Sequence, residues 1–135
     1  MADLPNVNAA EIAVIKSIAR GNGDGPVLML NLNKYRSEAG YSEGKLYTDY
    51  MAVLSALLLQ VGGKVLWRSA VQGHVVGNQD VDEALGIWYP SHQAFLDLMT
   101  APASGENMRL RALAVALADL HRCSASEHAQ SAPGP

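Results

Sequence analysis

The order of four short apolar runs and the helical stretches between them limits what this chain can fold into. Val27–Asn33 (VLMLNLN) is the first run. Lys64–Val71, with VLWRSAV at its heart, is the second, and Ala84–Tyr89 (ALGIWY) is the third. Each has strand length and period-two character. Leu120–Cys123 reads as a short fourth. Between the first two, Leu46, Tyr50, Val53, Leu54, Leu57, Leu58 and Val61 recur at helical spacing until Gly62-Gly63 ends the pattern. Ser42 is the expected cap of that helix. After the third run, Pro90 halts the strand and Ser91 caps a helix with Ala94, Phe95, Leu98 and Met99 inside. Pro102 breaks it, and a further helix is predicted over about Ser104–Leu117. A first helix begins at Asn8, with Glu11 three residues on as its capping partner.

Helix followed by β-α-β-β-α-β predicts an α+β, ferredoxin-like domain with an added N-terminal helix. The expected division is 1–25 for the helix and glycine-rich linker, 26–123 for the domain, and 124–135 for a disordered tail. In the first strand Leu28, Leu30 and Leu32 are expected to form a plain leucine core face. Val27, Met29, Asn31, Asn33 and Tyr35 take the other face, which turns from apolar to polar along its length. In the second strand strict alternation puts Val65, Trp67, Ser69 and Val71 together. Val75 and Val76 are candidates to prolong it. An antiparallel sheet with helices on one side leaves its other face bare. A second copy packed sheet against sheet is the expected cover, so a symmetric homodimer is predicted.

Composition excludes several classes. Net charge is −3 with signs interspersed, so there is no basic block for a phosphate backbone. No apolar run approaches the roughly 20 residues of a membrane span. One cysteine, Cys123, allows neither an intrachain disulfide nor a thiolate cluster. With no secretory pattern in the first residues, a reduced cytoplasmic location is predicted. Gly21-Asn22-Gly23-Asp24-Gly25-Pro26 is no phosphate loop, because it precedes a strand and lacks the Gly-Lys-Ser/Thr ending.

VLMLNLNKYR, Tyr47-x-x-Tyr50, Gly62-Gly63-Lys64-Val65-Leu66-Trp67, Tyr89-Pro90-Ser91-x-x-x-Phe95 and Arg109-x-x-Ala112-Leu113 occur in that order. Together they resemble the family called domain of unknown function 1330, of the dimeric α/β-barrel superfamily. The resemblance runs from Pro26 to Cys123. It implies a ferredoxin-like fold and a dimer with facing sheets, and no particular reaction. Superfamily relatives include cofactor-free monooxygenases, lactone isomerases, polyketide cyclases and haem enzymes. The family pattern often has Leu-Leu-Lys-Phe where this chain has Leu32-Asn33-Lys34-Tyr35.

Candidate site residues follow from chemistry. The amides of Asn31 and Asn33 project to one side and can hydrogen-bond a carbonyl or an oxyanion. Tyr35, Tyr47 and Tyr50 are suited to lining the same opening, ring packed and hydroxyl bonding. Trp88 is a candidate for stacking on a planar ligand, and Trp67 for a dimer anchor. His74, near a strand end, is the candidate proton carrier, with His121 beside it in rank. Arg109, which the family resemblance favours, is the candidate carboxylate grip, while Arg111 on the same helix is the alternative. Ordinary structural roles compete with each. No histidine pair has the spacing of a helix-borne zinc site, so no metal is expected, and no cofactor. Two readings stand. One is a cofactor-free isomerase, cyclase or monooxygenase acting on a small organic acid or aromatic compound. There Asn31 steadies negative charge, Arg109 binds the acid and His74 moves the proton. The other is a non-enzymatic dimeric ligand-binding or stress-related module.

Overall fold

β1 (Val27–Tyr35) is a central strand of a four-stranded sheet, and the rest of the domain is arranged around it. The computed structural model describes residue 4 and residues 6–125. α1 (Ala9–Arg20) precedes β1. α2 (Lys45–Val61), β2 (Lys64–Ala70), β3 (Glu83–Tyr89), α3 (His92–Asp97), α4 (Ser104–Ala114) and β4 (Val115–Ser124) follow. The strand order is β2-β3-β1-β4, and every neighbouring pair is antiparallel. The described residues thus form an α+β fold with four α-helices and a four-strand antiparallel sheet. No helix among the described residues is long and apolar enough to cross a membrane.

The local signals act where they stand. Asn8 accepts a hydrogen bond from Glu11 N at 3.2 Å and starts α1. Ser91 accepts one from Ala94 N at 3.0 Å and starts α3. Gly62, at φ +80°, ends α2 in the left-handed conformation. α2 begins at Gly44 without a side-chain cap, so Ser42 does not serve there. A side chain at Gly44 would collide with the backbone of Ala39 and Gly40, which explains why the smallest residue stands at this start.

The two faces of β1 are the reverse of the leucine-core expectation. Val27, Met29, Asn31, Asn33 and Tyr35 are the buried, helix-facing set. Met29 pairs with Ile87 and Asn31 with Leu85, and these partners join the core that α2, α3 and α4 cover. Leu30 and Leu32 are only half-buried, because their partners on β3 are Gly86 and Ala84. That side has too little volume to build a core and forms the open face.

A β-bulge between Val65 and Trp67 breaks the expected alternation of β2. Val65 pairs with Ile87 and packs against the core, whereas Trp67 pairs with Gly86. The indole lies where a side chain at Gly86 would stand, 2.5 Å from an added Cβ. Val65 and Trp67 therefore lie on opposite faces. Val75 and Val76 do not extend the strand and are fully exposed in a loop. α4 stops at Ala114, earlier than its pattern suggests. β4 then pairs with β1 over the whole length of that strand, a tertiary gain that outweighs helical spacing. Of the expected tail, Ser124 closes β4 and Ala125 is buried, while 126–135 lie outside the described residues.

Asp24, in the glycine-rich segment, locks the first turn of α3. Its Oδ1 accepts from His92 N at 2.8 Å and lies 3.0 Å from His92 Nδ1, and its Oδ2 accepts from Gln93 N at 3.1 Å. Burial pushes this carboxyl up, but the hydrogen bonds from His92 and Gln93 hold it below its ordinary value. Asp24→Ala is expected to cost about 1 kcal/mol at neutral pH, measured by urea unfolding. A depressed folded value means the contribution is complete above the ordinary carboxyl value of 3.8 and lost as pH falls through the lower folded one. The gap between wild type and variant should therefore close in strong acid.

Candidate functional site

Period-two geometry sends Met29, Asn31 and Asn33 from β1 toward the helices, together with Leu85, Ile87 and Tyr89 from β3. Where they meet α1, α2 and α4, a cavity of about 300 Å³ remains between helices and sheet. Glu11 on α1 and Arg122 on β4 both line it, and their ion pair ties these two elements together.

The cavity has two ends of different character. Gly63, just past α2, lies against Tyr89, the partner of Val27, so the C-terminus of α2 stands at the Val27 end of β1. Met29, Ile87, Tyr89, Leu57 and Phe95 line that end, and the Glu11–Arg122 ion pair stands beside Met29, the register partner of Arg122. At the other end Arg36 N donates to Ala114 O at 2.8 Å, which brings the last turn of α4 to the Asn33–Tyr35 end of β1. Arg111 in that turn lines the cavity with Asn31, Asn33 and Tyr50. Burial pushes the Tyr50 phenol up, opposed by the Arg111 guanidinium beside it. Tyr50 thus stays a neutral hydroxyl, and Arg111 forms no ion pair among the described residues. One turn earlier Asn107 is buried at 8% exposure, with an Oδ1 that has no hydrogen-bond partner among the described residues.

Beside the polar end sits a buried carboxylate, Glu83, 3% exposed. It is the register partner of Asn33 on β3. Tyr35 Oη donates to Glu83 Oε1 at 2.6 Å, and Tyr47 Oη donates to Oε2 at 2.8 Å. Asn33 Nδ2 donates to Tyr35 Oη at 3.1 Å, and an Arg68 Nη1 lies 3.5 Å from Tyr47 Oη. Tyr41 stacks on Tyr35, with ring centroids 5.1 Å apart. Burial, and then the bond to Glu83, push both phenols well above their ordinary value, so both remain donors.

The residues singled out from sequence separate into groups. Asn31, Asn33 and Tyr50 line the cavity, and Tyr35 and Tyr47 hold Glu83 next to it. Trp88 faces the opposite way, paired with Leu28, with Lys64 Nζ 5.3 Å from its ring centroid. His74 is exposed in the loop between β2 and β3, away from the cavity lining. Arg109 is exposed and paired with Glu106 at 2.7 and 2.8 Å. His121 touches the lining from β4, but it is the register partner of Leu30, so its exposed side chain lies on the open face, opposite to Asn31.

Two groups, Asn107 and Glu83, escaped the sequence reading although the signal was present. Asn107, Leu110, Arg111 and Ala114 follow helical spacing and form the inward stripe of α4, which Arg109 does not share. Glu83 precedes Leu85, Ile87 and Tyr89 at steps of two, which places it on the buried face.

No protein-family model matches the chain, and no curated protein matches it. Among solved structures, the chain is similar to a protein of unknown function from Rhodopseudomonas palustris. The two share 25% identity over 87% of this chain and 93% of that one, with a TM-score of 0.70. The methylated form of the same protein gives a TM-score of 0.72 at 25% identity, covering 92% and 96%.

Tyr47→Phe removes one of the two donors that hold Glu83. Hydrogen bonds to charged groups contribute about 1.5–3 kcal/mol, so the variant is expected to lose stability in that range by chemical denaturation.

Proposed function

We propose that this chain is a ferredoxin-like domain of the dimeric α/β-barrel kind that binds a small organic acid in the cavity between sheet and helices. The observation that carries the reading is Arg111. A guanidinium in a mainly apolar cavity, with no acid partner among the described residues, has a strong demand for an anion. Asn31 and Tyr50 stand at the same end and offer neutral hydrogen bonds to a head group. Met29, Ile87, Leu57 and Phe95 suit an apolar body. Arg111 thus takes the role that sequence reasoning gave to Arg109.

The single cysteine supports a reduced, cytoplasmic setting for this reading.

The open sheet face supports the dimer. Trp67 is 38% exposed and Leu117 65% exposed, and Leu30 and Leu32 lie between them with no helix above among the described residues. A second copy related by a two-fold axis buries this patch against its own equivalent.

Two measurements test these statements. In isothermal titration, 4-methylpentanoate or 3-phenylpropanoate should bind wild type, and their uncharged amides should not. Arg111→Leu should weaken the acids at least about tenfold, a loss of about 1.4 kcal/mol, while Arg109→Leu changes nothing. Equal binding of acid and amide would refute the reading. In light scattering the wild type should have twice the chain mass, and Leu32→Arg should have the mass of one chain with its helical signal intact.

A further inference from the structure

The Glu83 cluster does more than satisfy a buried charge. It decides which atom of Asn33 the cavity meets. Glu83 Oε1 accepts from Tyr35 Oη at 2.6 Å, so the phenol's one proton is committed there. Tyr35 Oη can then only accept, and it accepts from Asn33 Nδ2 at 3.1 Å. The amide is thereby turned one way. Its Oδ1 carries no hydrogen bond among the described residues, and Asn33 lines the polar end of the cavity. An acceptor locked in place at the same end of the cavity as Arg111 calls for a ligand with a donor near its carboxylate.

We infer that the acid bound here carries a hydroxyl on the carbon next to its carboxylate, and that Asn33 Oδ1 reads that hydroxyl. Arg111 holds the carboxylate, and the tail lies toward Met29, Ile87 and Phe95. The inference rests on the acid-binding reading above. An ammonium in place of the hydroxyl is disfavoured, because Arg111 puts positive charge at this end while the Glu83 oxygens are already engaged by two phenols. A ketone is disfavoured as well, because two acceptors would face each other with no proton between them. Tyr35 and Glu83 act as positioning residues: they touch Asn33 or one another and set the direction of the amide.

The test is a titration of three matched acids, 4-methylpentanoate and its 2-hydroxy and 2-oxo forms, against wild type and Tyr35→Phe. Wild type should bind the hydroxy acid about five- to tenfold tighter than the parent acid, as expected of one added hydrogen bond, and the oxo acid most weakly. In Tyr35→Phe the Asn33 amide is free to turn. The hydroxy preference should shrink to less than about twofold and the oxo acid should gain, while the parent acid is unchanged. Parent and hydroxy acids that bind wild type equally would overturn the inference and leave the acid-binding reading standing. Failure of all three to bind would overturn both. A hydroxy preference that survives in Tyr35→Phe would overturn the positioning role. The wild-type ranking decides the main point even where the variant does not fold.

Discussion

Glu83 is a carboxylate at the start of β3, buried beside the end of β1, where burial of a charge has a large cost unless every lone pair finds a donor. The donors come from two other elements. Tyr35 closes β1 and Tyr47 opens α2, and both phenols converge on it. This single group therefore pins strand, helix and strand at one end of the sheet. Burial and hydrogen bonding keep the phenols protonated, so the arrangement stays a set of donors around one acceptor. Asp82, next in sequence, adds to the anchoring. Its side chain accepts from Tyr35 N at 2.9 Å and its backbone N donates to Asn33 O at 2.8 Å, which seats the end of the 71–82 loop.

The consequences spread along β1. Once its polar end is held, the odd-numbered residues face the helices and the leucines face outward. α2 and α4 both have one end at the Tyr35 end of the sheet, and along α2 the cavity lining passes from Tyr50 to Leu54 and Leu57. Tyr50 and Leu57 on α2, and Arg111 and Asn107 on α4, take their places by helical spacing. A cavity with Arg111, Asn31 and Tyr50 at one end and Met29, Ile87, Leu57 and Phe95 toward the other follows from these element directions. The head group and apolar body of the proposed acid complement these two sets.

The opposite face of the sheet obeys a different constraint. Gly86 and Ala84 leave a shallow surface, and the bulge in β2 turns Trp67 across it. Flat aromatic and leucine side chains on a sheet without helices form a surface suited to a copy of itself. The cavity and this face are separated by the thickness of the sheet, so the proposed ligand site and the proposed dimer face use different residues of the same strands.

Much of this was legible in the residues alone. Asn8 and Ser91 as caps, the glycines after α2 and the order of strands and helices are local matters, decided within a few residues by backbone geometry and hydrogen bonding. Asn31, Asn33 and Tyr50 were legible as groups that share one direction. Facing was not legible. Whether the leucine side or the mixed side of β1 meets the helices depends on the volume that β3 supplies across the register, and a one-residue bulge in β2 reverses what alternation implies. The pairing of Glu83 with Tyr35 and Tyr47 is a decision of the same kind. Which elements form and which side chains carry chemistry could be read along the chain, because those depend on near neighbours. Which of them meet is settled by the fold, because a buried charge selects partners by distance in space, tens of residues away along the chain.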